Sequence, residues 1–320
     1  MIFVSLLLIG CQGDGNRTQA ETGGSSAGVA EASLSAEGSA AEAASETIEV
    51  GEDGTAASGE APETPETIRL WLEEGLAYWR QSGDVPSLIT YYADRQLGIT
   101  YVGGLLDEPD TEQLVVTLAG SDCVIYVEMS LAMAMTTLQA STSYDAFREN
   151  LKLIRYRDGE IDGYQSRLHY FSDWLLTNQE KDLVDLQFQD EGLPAIEPPD
   201  FMSRNRENYR HLAGDDEIYQ EIRAMEQRLA GHRLAYIPQE RIPEFEDRFR
   251  TGDILGFVTT LEGLDITHTG LVKMDGDRAG FYHASMTGSV IVDPATIHEY
   301  TNNRRNINGI VVARLTSPQM

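Results

Sequence analysis

An α+β fold, with helices first and an antiparallel sheet built from the C-terminal part, is the architecture this sequence predicts. From Cys123 to about Gln139 the chain is apolar on every face, which is the pattern of a helix buried in a core. Helical periodicity surrounds that run. After Asp253 the texture changes to short segments rich in Val, Ile, Phe and Tyr, separated by turn residues such as Asp275-Gly276-Asp277. Those segments read as a meander of strands, and helices followed by such a meander imply an α+β domain.

The first ten residues, Met1 to Gly10, form a short apolar run that ends at Cys11. A bilayer span needs ~20 apolar residues, so this run reads as the hydrophobic part of a secretory signal. Its Leu8-Ile9-Gly10-Cys11 ending resembles the bacterial lipobox, in which the cysteine is lipidated once the signal is removed. No Lys or Arg precedes the run, so the expected start of translation lies upstream. Gln12 stands where an Asp would retain a lipoprotein at the inner membrane. The expectation is an envelope protein, lipid-anchored at the outer membrane and facing the periplasm. Residues 12–65 are mostly Gly, Ala, Ser, Thr and Glu, with almost no large apolar side chains. Such a segment buries too little surface to offset its ordering entropy, and is expected to be a disordered acidic tether.

The folded domain is expected at residues 66–318. Pro65-Glu66-Thr67 introduces a helix carrying Ile68, Leu72, Leu76 and Trp79, and a second helix from Leu88 to Leu97 follows Pro86. A Gly-rich stretch with Tyr101, Gly103 and Gly104 comes next. Glu128 within the apolar helix, and the helix's modest length, argue against a membrane span. Tyr144 to Leu153 reads as another helix, and the region to about residue 245 is mixed, with loops at Pro194, Pro198, Pro199 and Pro238. Strands are expected at Ile254–Thr260, His268–Met274, Gly280–Ser285, Val290–Val292 and Ile310–Leu315.

The formal net charge of −28 argues against nucleic acid as the main partner, because a phosphate binder needs a basic footprint. His169, His211, His232 and His298 are scattered without metal-ligand spacing, so no metal or other cofactor is expected. There are only two cysteines. With Cys11 lipidated, Cys123 has no disulfide partner, and an unpaired thiol in an oxidising compartment points to reactivity.

Asp122 fits a helix N-cap. Cys123 then falls in the first turn, where unpaired N–H groups and the helix dipole favour a thiolate. Most free cysteines are small buried hydrophobes, so the residue type alone leaves both readings open. The histidines add to the case. If Asp275-Gly276 forms a two-residue turn, Met274 pairs with Asp277 and His268 falls directly opposite His283. Their Cβ atoms would then lie ~5 Å apart on one face. A nucleophile, a base and an orienting group are thereby available.

Asp122-Cys123 at a helix start, His268-Thr269-Gly270-Leu271-Val272 in one strand and Tyr282-His283-Ala284-Ser285 in the next resemble the NlpC-type cysteine peptidase superfamily, with its papain-like fold. Further blocks, Ile154 to Gly159, Ser166 to Trp174, Gly252-Asp253-Ile254 and Gly263-Leu264-Asp265, resemble its N-acetylmuramoyl-L-alanine amidase-like family over residues 66–316. The resemblance implies a nucleophile helix packed on the C-terminal antiparallel sheet. It also implies cleavage of the amide between N-acetylmuramic acid and L-alanine in muropeptides, with a preference for the anhydro sugar. By this resemblance Cys123 is the nucleophile, His268 the base and His283 its orienting group. Tyr101 matches a tyrosine beside the oxyanion site, and Arg167, His169 and Tyr170 would line the substrate site. Ile125 and Tyr126 stand where the family shows Thr and Phe, a difference that bears on packing or specificity.

Arg155, Arg157 and Arg167 form a basic stretch that suits the carboxylates of a stem peptide, or salt bridges to nearby Asp158, Glu160 and Asp162. Other functions remain open at this stage. One is an endopeptidase cutting between D-glutamate and diaminopimelate; another is a lipoprotein that only binds muropeptides. An acyltransferase is more distant, since no apolar channel signature is present.

Overall fold

The computed structural model describes residues 64–316. Cys11, its apolar run and the tether to residue 63 lie outside the described residues. Thr64 and Pro65, assigned above to the tether, instead open the first helix.

Helices α1 (Thr64–Ser82) and α2 (Val85–Arg95) pack on each other and on α3 (Cys123–Leu138). Each carries a proline in its first turn, Pro65 and Pro86, where the missing N–H has no helical partner to lose. Asp84 caps α2 by accepting from the Ser87 N–H at 2.9 Å. Every residue of α3 from Cys123 to Thr137 is buried, as an all-round apolar sequence requires. Helices α4 (Tyr144–Arg155) and α5 (Phe171–Glu180) complete this layer. Among the described residues no helix is long and apolar enough to cross a membrane.

The mixed region resolves into two single turns, α6 (Phe201–Arg204) and α7 (Arg210–Ala213), and a longer helix, α8 (Asp216–Leu229). Only Ile222, Met225, Glu226 and Leu229 of α8 are buried, a narrow stripe on an otherwise charged helix. Asp215 caps it, accepting from the Glu217 and Ile218 N–H groups at 2.9 and 3.0 Å. A short α9 (Ile297–Asn302) follows the sheet's last hairpin and is opened by a reciprocal Thr296–Glu299 capping box.

The sheet has seven strands: β1 (Val184–Leu186), β2 (Ile237–Pro238), β3 (Ile254–Thr259), β4 (Ile266–Asp275), β5 (Arg278–Ala284), β6 (Val290–Val292) and β7 (Ile307–Leu315). All pairs are antiparallel, in the order β1-β7-β3-β4-β5-β6, with β2 also on β7. One face, with Ile254, Leu271, Tyr282 and Val311, packs on the helix layer containing α3. The other, with Leu255, Phe257, Val272 and Phe281, packs beneath α9 and the Gln239–Glu244 turn.

The hairpin register differs from expectation by two residues. Asp275 pairs with Arg278 and Leu271 with Tyr282, so the central turn residues are Gly276 and Asp277. Gly276 has φ +58, and a two-residue turn with positive φ at its first central position takes glycine there. His268 is therefore not directly opposite His283. A slip of one residue would have thrown the two side chains onto opposite faces, but a slip of two keeps them together.

Candidate active site

Cys123 opens α3. Asp122 holds the cap, its Oδ1 accepting from the Val124 and Ile125 N–H groups at 3.0 and 2.8 Å. The Thr269 hydroxyl of β4 donates to the Cys123 carbonyl at 2.8 Å. Since His268 is the neighbouring residue on β4, this bond ties the start of the helix to the strand position of the first histidine.

Burial works against the expected thiolate. Burial pushes the Cys123 thiol up to about 12, and the Asp122 carboxylate adds to it, while hydrogen bonding by Thr269 acts in the other direction. The reason lies in the cap. Two of the N–H groups that would stabilise a thiolate at a helix terminus are occupied by Asp122, which adds a negative charge of its own.

The two histidines do meet. His268 and His283 are both buried, with Nε2 of the first 2.7 Å from Nδ1 of the second. Beyond them, His283 Nε2 lies 3.0 Å from Asp293 Oδ2. A carboxylate can only accept, so His283 carries its proton on Nε2 and presents Nδ1 as an acceptor. His268 must then donate from Nε2, which leaves its Nδ1 free to take a proton. Burial holds His268 well below the usual 6.5, and the charges of His283 and Arg304 push it the same way. His283 is also lowered by burial, against the pull of Asp293.

Aromatic rings surround this pair. Phe257 stacks on His268 at 5.7 Å, Phe281 lies 4.9 Å from His283, and Tyr300 from α9 packs at 6.3 and 5.7 Å from the two histidines. Burial, with Asp293 and the Cys123 thiol adding to it and Arg304 opposing, raises the Tyr300 phenol. The thiol therefore lies within electrostatic reach of the ring that packs on both histidines.

Tyr101 is held near the start of α3 by its backbone, which bridges to Ser121 and donates to the Gly288 carbonyl at 2.8 Å. Arg167, His169 and Tyr170 belong to a separate buried network. Arg167 Nη2 donates to Asp107 at 2.6 Å and its Nε lies 3.0 Å from Glu112. His169 Nε2 donates to the Tyr164 carbonyl at 2.7 Å, and the Tyr170 hydroxyl donates to Glu226 at 2.8 Å. The basic stretch is likewise engaged internally. Arg155 grips Glu128 at 2.7 Å and the Val115 carbonyl at 2.7 Å, and Arg157 clamps Asp173 with two bonds at 3.0 and 2.7 Å. Arg167 and Arg155 thus pin the loop between Leu105 and Thr117, which leads into α3.

Sequence reasoning missed Asp293, Tyr300 and Thr269. A signal for Asp293 was present, because β5–β6 pairing sets His283 against Ile291, and Asp293 lies two residues on, on the same face.

Comparison with known proteins bears on the family and the fold. A model of the AmiA-like, N-acetylmuramoyl-L-alanine amidase-like family matches residues 92–310. The chain belongs to that family. A crystal structure of an N-acetylmuramoyl-L-alanine amidase from Bacteroides uniformis is 29% identical, covers 72% of this chain and 99% of its own, and superposes with a TM-score of 0.68. A Bacteroides fragilis structure carrying a provisional xylanase name is 30% identical over 70% of this chain and 99% of its own, with a TM-score of 0.66. A Legionella pneumophila protein, 19% identical over 79% of this chain and 94% of its own, shares the fold at a TM-score of 0.59. No curated protein matches the chain.

Proposed function

We propose that this member of the amidase-like family is a cysteine hydrolase that cleaves the amide between N-acetylmuramic acid, in its anhydro form, and L-alanine. The observation that carries the reading is the buried His268–His283–Asp293 series, on a strand whose Thr269 is hydrogen-bonded to the Cys123 carbonyl at the start of α3. Burial favours the neutral thiol and the neutral imidazole, so on this reading the base acts during attack. Cys123 Sγ adds to the lactyl carbonyl carbon as His268 Nδ1 takes the thiol proton. The oxyanion is met by the Cys123 backbone N–H in the open first turn and by the Tyr101 hydroxyl. His268 then returns the proton to the leaving L-alanine nitrogen as the C–N bond breaks, leaving a thioester. Water, deprotonated by His268, hydrolyses it and regenerates the thiol.

A glycosidase needs two carboxylates facing the scissile bond. Here Asp122 is occupied by backbone N–H groups and Asp293 by His283, which favours the thiol chemistry. The Leu8–Cys11 ending supports a lipid anchor in the envelope, facing the periplasm from the outer membrane. Muropeptide digestion followed by mass spectrometry tests the reading. The parent protein should release stem peptide beginning with L-alanine, and Cys123→Ala should release none. Cleavage within the stem would instead indicate an endopeptidase, and binding without any product would indicate a muropeptide-binding protein.

A further inference from the structure

Arg304 stands just beyond α9, where its N–H donates to the Thr301 carbonyl at 3.0 Å and its Nη1 to the Tyr300 carbonyl at 3.1 Å. Its guanidinium carbon lies 3.4 Å from the centre of the Tyr300 ring, a cation stacked on an aromatic face. The same ring packs against His268 and His283. A positive charge is thus fixed one aromatic ring away from the histidine relay. Arg304 is exposed, and among the described residues no carboxylate pairs with it. What sets Arg304 apart from other arginines that make no ion pair among the described residues, such as Arg223 and Arg278, is its place on the ring that packs on both histidines. Arg155, Arg157, Arg167, Arg206, Arg248 and Arg314 each hold an Asp or Glu, as expected in a protein with 52 acidic and 24 basic side chains.

We propose that Arg304 anchors the substrate by binding a free carboxylate on the peptide side of the scissile amide. The assignment rests on the amidase reading of the same site. His268 gives its proton to the leaving nitrogen, so the peptide half of the substrate departs on the histidine side, over Tyr300. In that half the second residue is joined onward through its γ-carboxyl, which leaves its α-carboxylate free. At about 3.5 Å of chain per residue, that carboxylate trails the leaving nitrogen by roughly 6 Å, comparable to the 6.3 Å separating the Tyr300 and His268 rings. The planar guanidinium fork is suited to receive both carboxylate oxygens. Arg304 also bears on both histidines, opposing their protonation; a bound carboxylate would relieve that effect when His268 must become an imidazolium.

The test compares full-length parent, Arg304→Gln, Arg304→Lys and a neighbouring Arg305→Gln control on two muropeptides. One carries D-glutamate with its free α-carboxylate, and the other the α-carboxamide in its place. The parent should favour the carboxylate substrate in kcat/KM on the order of tenfold, the scale of a charged hydrogen bond. Arg304→Gln should lose that preference through KM with its melting temperature unchanged. Arg304→Lys should recover part of it, and Arg305→Gln should keep it whole. An unchanged acid-to-amide ratio in Arg304→Gln overturns the proposal. If the parent cleaves neither substrate, calorimetry with L-alanyl-γ-D-glutamate and its α-amide separates the two ideas. An Arg304-dependent preference for the acid keeps the anchor while the amidase reading falls, and no preference overturns the anchor too.

Discussion

Replacing Asp122 by Asn or Ala separates its two effects, on the helix α3 and on the Cys123 thiol. The carboxylate caps α3 through two accepted hydrogen bonds of 3.0 and 2.8 Å. Asn presents the same kind of acceptor, so its stability should change by only a few tenths of a kcal/mol. Ala removes the acceptor and should cost about 1 kcal/mol, roughly 2–4 °C in Tm for a domain of this size. On the thiol the two changes act alike, because both remove the negative charge that, after burial, holds Cys123 up at about 12. Each unit by which the thiol falls gives tenfold more thiolate at any pH below it. The assay is alkylation by iodoacetamide at mildly alkaline pH, followed by peptide mass spectrometry so that Cys123 is read apart from Cys11. Cys123 should react faster in both variants, while only the Ala variant melts earlier. Slower or equal alkylation in Asp122→Asn, with the fold intact, would refute the reasoning and return Asp122 to the role of a thiolate-promoting cap.

Three more outcomes follow from the buried charges. Arg155→Met leaves Glu128 in a fully buried site with only the Trp174 indole at 3.1 Å, and should cost about 3–5 kcal/mol in urea titration. Much of that loss should return in the Arg155→Met/Glu128→Gln double variant; a loss below about 1 kcal/mol in the single variant would contradict the pairing. Because burial holds His268 below 6.5, the unfolded chain takes up its proton first as the pH falls. Stability from this residue is therefore complete above the ordinary histidine value and is lost below it, toward the folded pKa. His268→Gln should flatten that part of the stability curve, and identical slopes in parent and variant would count against it. Asp293→Asn should lower kcat about 10–100-fold with KM held, the usual scale for a group that orients another; undiminished turnover would remove Asp293 from the relay.

The α+β arrangement was legible because each layer has its own periodicity. The all-round apolar run became the buried α3, and the strand segments fell within a residue or two of β3 to β6, with β7 beginning earlier at Ile307. Helix α8 was not legible as an element, since its few buried residues are too sparse to stand out from a charged sequence. The histidine pair was found by pattern and survived a wrong register, because side-chain alternation tolerates a slip of two. Tyr300 and Arg304 were not accessible in this way. Their place depends on α9 folding back over the face that carries Phe257 and Phe281, a tertiary fact that no local pattern encodes. Arg155 and Arg167 show the reverse. Sequence left open whether they bind stem-peptide carboxylates or pair with nearby Asp158, Glu160 and Asp162; both are instead consumed inside the protein by carboxylates distant in sequence, Glu128 for Arg155 and Asp107 and Glu112 for Arg167.

Burial favours a neutral thiol and a neutral imidazole, which constrains how the proposed relay would work. In the proposed mechanism, His268 taking the thiol proton on Nδ1 would form a positive charge in a site whose burial opposes it. The hydrogen bond from His268 Nε2 to His283 Nδ1 offers a way out. Transfer of the Nε2 proton along that 2.7 Å contact moves the charge to His283, which touches Asp293 at 3.0 Å. The imidazolium would then rest beside a carboxylate, and His268 would be left neutral with the captured proton on Nδ1, facing the leaving group. On that proposal, two histidines in series followed by an aspartate would do more than hold a ring in place. They would separate the atom that exchanges protons with substrate from the ring that carries the charge, which suits a base that has to work in a buried, aromatic site.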